Sequence, residues 1–80
     1  MKHPTAAGFR VRKTSAAVTV TFKPTGSTYT FSRFADAEDI KVHGPISRHP
    51  TVTHPSGDTG DYVAGEVLQL AYDVACNAAL

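Results

Sequence analysis

The hydrophobic pattern of this chain changes period once, near residue 60. Upstream of that point, GFRVRK (8–13), VTVTF (18–22) and STYTF (27–31) alternate apolar and polar residues, which is what a half-buried strand requires. Downstream, apolar residues recur at helical spacing: Val63, Ala64, Val67, Leu68, Leu70, Ala71, Val74, Ala75 and Ala78. One switch, without a return, predicts an α+β fold. The expected architecture is an antiparallel β-meander of three to four strands, then a long loop, then one C-terminal α-helix packed on the sheet.

The boundaries follow from local signals. Strands are expected at about 8–13, 16–23 and 27–34. Pro24-Thr25-Gly26 combines a fixed φ with a residue tolerant of positive φ and predicts a tight hairpin between the second and third. Links this short cannot make a parallel crossover, so the strands pair antiparallel. Ile40 and Val42 suggest a fourth strand at about 39–43, with ADAED before it as a turn or a single helical turn. Residues 43–60, rich in Pro, Gly, His, Ser and Thr, read as one loop. The helix is expected over about 60–78, with Asp58 or Thr59 as its cap and Asp61 in its first turn. All of this forms a single domain over residues 1–80.

In this register Phe9, Val11, Val18, Val20, Phe22, Tyr29 and Phe31 face the core, meeting Val63, Val67, Leu70 and Val74 of the helix. The opposite face carries Arg10, Arg12, Lys23, Thr19, Thr21, Thr28, Thr30 and Ser32. Threonine is β-branched and suits an extended backbone, and cross-strand threonine pairs suit a solvated face. Short hydroxyls flanked by cations also suit phosphates or an acidic protein surface. The solvated face is the plainer of the two readings, and the charge map is lopsided along the chain. Residues 1–35 hold six cations and no acid, whereas residues 36–80 hold two cations against seven acids. Direct nucleic-acid binding is the less favoured alternative, because the aromatics that stack on single-stranded bases point inward in this register.

No catalytic chemistry is legible. The chain has no Gly-rich phosphate loop, no Ser or Cys with an identifiable base, and no acid pair on an evident cleft. His43, His49 and His54, with Asp58 beyond, fall in an irregular run rather than in the spacing of a zinc site. They read as polar loop residues, so neither metal nor cofactor is expected. Cys76 is the only cysteine, which excludes an internal disulfide and fits a reduced, half-buried small hydrophobe. A cytoplasmic location is expected: no stretch reaches the roughly 18 apolar residues of a membrane span, and residues 1–25 lack a secretory apolar core.

The helix raises a question of its own. Its apolar arc covers about half of the circumference, wider than the stripe of roughly 100° that one sheet needs. A chain of 80 residues has a thin core and commonly gains more by association. The rest of the arc is expected to meet a second copy of the chain, a partner protein or the long loop folded back; a homodimer is the favoured of these, with Leu68, Tyr72, Ala75 and Ala79 nearest the contact.

Over its full length, from MKHPTAAGFRVRK through VTVTFKPTGSTYTFSRF to DYVAGEVLQLAYDVACNAAL, the chain resembles small phage- and prophage-encoded anti-CRISPR proteins, inhibitors of type I systems including subtype I-C. The resemblance is one of overall profile and carries no site residues with it. It implies a non-enzymatic inhibitor that binds a subunit of the Cascade complex, or the nuclease-helicase Cas3, inside the host bacterial cell and stops target DNA being bound or cut. Many such inhibitors are acidic mimics of DNA. This chain is nearly neutral with a basic half, which points to covering a protein surface instead. A nucleic-acid-binding accessory protein and a phage structural dimer are the alternative classes.

Overall fold

In a computed structural model, which describes residues 2–54 and 60–79, a four-stranded antiparallel sheet in the order β1-β2-β3-β4 carries one long helix on one face. The strands are β1 (Phe9–Lys13), β2 (Ala17–Phe22), β3 (Ser27–Ser32) and β4 (Thr51–Thr53), and the helices are α1 (Ala37–His43) and α2 (Ala64–Ala79).

The first three strands form where the period-two pattern places them. Thr14 makes the β1–β2 link compact: its hydroxyl oxygen accepts from the Ala16 and Ala17 N–H groups at 3.3 and 3.0 Å. Between β2 and β3 the Gly26 N–H donates to the Phe22 carbonyl at 2.8 Å, with Gly26 at φ 76°. A side chain there would be strained, so the glycine is a backbone requirement.

Residues 39–43 do not form the expected strand. They lie in α1, and the reason is local. Asp36 caps the helix by accepting from the Glu38 N–H at 2.9 Å. Glu38 and Asp39 occupy the first turn, Lys41 and His43 the last, and Gly44, at φ 89°, returns its N–H to the Ile40 carbonyl. Caps and dipole-matched charges outweigh two apolar residues that find no sheet to cover. Ile40 and Val42 remain exposed, and α1 buries nothing.

The fourth strand lies instead within the expected loop. Its three residues pair with β3, Thr28 opposite Thr53, Tyr29 opposite Val52 and Thr30 opposite Thr51. The approach to it is pinned to β3 as well: the Ser47 N–H donates to the Ser32 carbonyl at 2.8 Å, and Arg33 bridges Ile46. That bridge carries Ile46, which has no exposed surface, into the core.

The core is the side of the sheet under α2. Phe9, Val18, Val20, Phe22, Tyr29 and Phe31 are buried there with Ile46, Val67, Ala71 and Ala75. Phe22 is central, its ring 5.0 Å from Phe9 and 4.8 Å, edge-on, from Tyr62. Val11, expected in this core, lies 38% exposed on the edge strand. The helix begins at Ala64 rather than near 60, with the Glu66 and Val67 N–H groups both donating to the Val63 carbonyl. The expected caps Asp58 and Thr59 lie outside the described residues. Near the start of the chain, Lys2 and Tyr62 form a parallel bridge, and His3 Nδ1 lies 2.8 Å from Glu66 Oε1.

Small residues bring α2 close to the sheet. Val67, Ala71 and Ala75 make its buried line, while Leu70, Val74 and Ala78 on one flank and Tyr72, Cys76 and Ala79 on the other are packed partly against the core. The wide apolar arc is thus largely used within the chain.

Candidate functional site: the open face of the sheet

The strand register aligns the polar face into two rows that cross the whole sheet. Arg12, Thr19, Thr30 and Thr51 make one; Arg10, Thr21, Thr28 and Thr53 make the other. Neighbours within a row are about 4.7–4.9 Å apart across the ladder, and the rows are separated by about 6.6–6.8 Å along each strand. Six threonines form a block, with two arginines at its β1 side. The alternation in the sequence marks four of those threonines but not Thr51 and Thr53. The only signal for these two is TVT, three residues of period two inside a proline-flanked run.

The block is ordered by its own chemistry. Thr19 and Thr30 hydroxyls lie 3.4 Å apart, and the Thr28 hydroxyl donates to the Gly26 carbonyl at 3.3 Å. β-Branching fixes χ1, so these hydroxyls lose little freedom when something docks on them. Arg10 and Arg12 are exposed, as is Lys23, whose backbone N–H donates to the Gly8 carbonyl just beyond the row of Arg10. Among the described residues the one ion pair is His3 with Glu66. The cations of the sheet face therefore have no carboxylate partner among those residues.

Ser27 and His54 are brought together where the strands β3 and β4 meet the hairpin turn. His54 Nδ1 lies 2.9 Å from Ser27 Oγ, and Thr25 Oγ1 lies 2.9 Å from the same oxygen. The His54 ring stands edge-on to Tyr29 at 6.0 Å, and burial raises the Tyr29 pKa. A serine in hydrogen-bond contact with a histidine has the groups of a nucleophile and its base. Ser27, however, has no exposed surface, so no substrate could reach it. Its hydroxyl satisfies the buried end of the hairpin and ties His54 to it. Of the other histidines expected in the loop, His43 ends α1 with its ring tilted against Phe34 at 5.7 Å, and the His49 N–H donates to the Ser47 hydroxyl. No group of three or more His, Cys, Asp or Glu side chains among the described residues could hold a metal ion.

Of the helix residues expected at a dimer contact, Leu68 and Tyr72 line one cleft, whereas Ala75 is turned to the core. Ala75 is fully buried against the sheet, which corrects its placement at a contact, and Ala79 packs partly against the core. The reason is that a small side chain brings the helix axis close to the strands, so residues at the edge of the arc are covered as well. Tyr72 lies against Phe31 at 5.7 Å and beneath the Arg48 guanidinium at 5.8 Å. Its hydroxyl pKa is raised by a hydrogen bond with Cys76 and by burial, with Arg48 pulling the other way. Leu68 alone remains substantially exposed, in a cleft of about 430 Å³ that it lines with Arg48, Gly65, Gln69, Tyr72 and Asp73.

The chain matches no protein-family model, no curated protein and no solved structure. Among the described residues, no helix is long and apolar enough to cross a membrane.

Proposed function

We propose that this protein is a non-enzymatic inhibitor that docks on an acidic protein surface through the open face of its sheet. The observation that carries the reading is the register: six threonine hydroxyls in two rows, ending in Arg10 and Arg12, with no acid among them. Cations at the border steer an acidic partner and set its orientation. Stiff hydroxyls inside the border then exchange hydrogen bonds at little entropic cost. Nucleic acid is the weaker candidate, because Phe9, Tyr29 and Phe31 are buried on the other side and leave no base-stacking platform on this face.

The whole-chain resemblance to anti-CRISPR proteins supplies the class of partner. On that resemblance the target is a Cascade subunit or Cas3 of a type I system, and occupying it prevents target DNA from being bound or cut. Co-purification with Cascade and with Cas3, each tested separately, checks the reading. Capture by one of them, abolished in the double variant Arg10→Glu/Arg12→Glu, is the expected result. Full capture by that variant, or no capture by either target, overturns it. A gel shift with duplex and single-stranded DNA completes the test: tight binding that weakens steeply with salt would favour a nucleic-acid partner instead.

A further inference from the structure

The outer edge of β1 pairs with no strand among the described residues, and the hydrogen-bond pattern shows which groups it presents. The Lys23 N–H donates to the Gly8 carbonyl and the Thr14 N–H to the Ala17 carbonyl, both at 2.9 Å. In an antiparallel ladder bonded pairs alternate with non-bonded ones. Arg10 and Arg12 are therefore bonded to β2, opposite Thr21 and Thr19, and the peptide groups of the residues between them point away from the sheet. Val11 and Lys13 each present an N–H and a carbonyl to the open edge. Phe9 presents its carbonyl alone, since its N–H is bonded to Ala6. Among the described residues no other strand follows β1 in the sheet order, and Val11 is 38% exposed where Phe9 beside it and Val20 opposite it are buried.

We propose that this edge is a strand-addition site, and that its occupant is an extended acidic segment of a partner protein in which acidic residues alternate with apolar ones. The inference rests on the reading of the protein as one that docks an acidic surface, and it extends that reading from the face to the edge. Charge selects the occupant. An added antiparallel strand would meet Val11 and Lys13 as hydrogen-bonded pairs and Arg10 and Arg12 as non-bonded pairs, where opposing side chains approach most closely. Acids opposite the two arginines would pair with them, and an apolar residue opposite Val11 would complete its burial. A second copy of this chain fits poorly. Twofold pairing about Val11 would set Arg10 against Arg12 of the second copy, in that same close geometry, and like charges directly opposite are destabilising.

The probe is a terminally blocked heptapeptide alternating valine and glutamate, compared with a peptide of the same composition whose glutamates are adjacent. Amide hydrogen exchange, read by NMR, gives the signature. In the free protein the Arg10 and Arg12 amides exchange slowly and those of Val11 and Lys13 rapidly; the alternating peptide should slow Val11 and Lys13. It should bind roughly tenfold more tightly than its scrambled counterpart, a difference of about 1.4 kcal/mol. Val11→Pro removes an outward N–H and leaves the bonds to β2 intact, a substitution edge strands tolerate, and it should abolish binding. Arg10→Glu/Arg12→Glu should transfer the preference to a peptide alternating valine and lysine, a change that a loss of folding would not produce.

Several results would overturn the inference: equal binding of both glutamate peptides, no change at Val11 and Lys13 with millimolar peptide, or a parent dimer that Val11→Pro dissociates. The two readings also separate on the intact target. If Val11→Pro retains capture while Arg10→Glu/Arg12→Glu loses it, docking through the face stands and strand addition at the edge falls.

Discussion

Over residues 18–21 of β2 the two faces of the sheet are built from nearly the same shapes and do opposite things. Val18 and Val20 alternate with Thr19 and Thr21 along β2, and each threonine differs from valine by one hydroxyl in place of a methyl group. The valines have no exposed surface and are sealed beneath α2, whereas the threonines face outward in register with those of β3 and β4. One atom type per residue decides which side a helix covers. Both faces keep the β-branched stiffness that favours the strand. The open face is therefore preformed without being buried, a useful property in a docking surface.

The comparison breaks most severely at Phe22, the fully buried ring between Phe9 and Tyr62. Phe22→Ala should cost about 3–5 kcal/mol, a large part of the stability of a small domain. Chemical denaturation of the purified variant measures this; a loss under about 1 kcal/mol would mean that the face assignment is wrong. Moving a hydroxyl to the wrong side comes next. Val20→Thr should destabilise by about 1–3 kcal/mol, because it places an unpaired polar group in the core, while Thr21→Val on the open face should stay within about 0.5 kcal/mol. Equal effects in the two variants would erase the distinction between the faces.

Smaller effects sharpen the picture. Asp36→Ala removes a cap generally worth about 1 kcal/mol, but α1 buries no residue. Amide exchange should therefore accelerate in α1 while the core strands keep their protection, and uniform acceleration throughout the chain would contradict an independent α1. Arg10→Glu/Arg12→Glu should change the melting behaviour least, by under about 0.5 kcal/mol per exposed site, while abolishing the proposed partner binding. Leu68→Glu belongs with it: light scattering should return the same mass as for the parent chain. A parent of about twice the chain mass that this substitution splits would instead make the cleft beside Leu68 the expected subunit contact.

The sequence is most legible where local signals and tertiary pairing agree. β2 and β3, their glycine turn, and α2 can be read because each extends over enough residues to display its period. Arg10, Arg12, Thr19, Thr21, Thr28 and Thr30 are placed on one face by the same alternation. The segment 37–54 is less legible, because its elements are short. In α1 the cap and the ordering of charge outweigh Ile40 and Val42; in β4 three residues are too few to show a period at all.

What the sequence determined by itself was the alternation, and hence the α+β class, the aromatic and valine core, and the composition of the open face. Those depend on the geometry of one strand or one helix, which period and turn residues specify locally. Only the tertiary structure decided that Thr51 and Thr53 complete the two rows, that Ile46 enters the core, that Val11 stays at the sheet edge, and that Ala75 lies on the buried side of α2. β4 is a strand because β3 offers it hydrogen-bond partners, and Ala75 is buried because its small side chain lets the helix settle close to the sheet. Such outcomes depend on contacts between residues far apart in the chain, and no local window of sequence contains both partners.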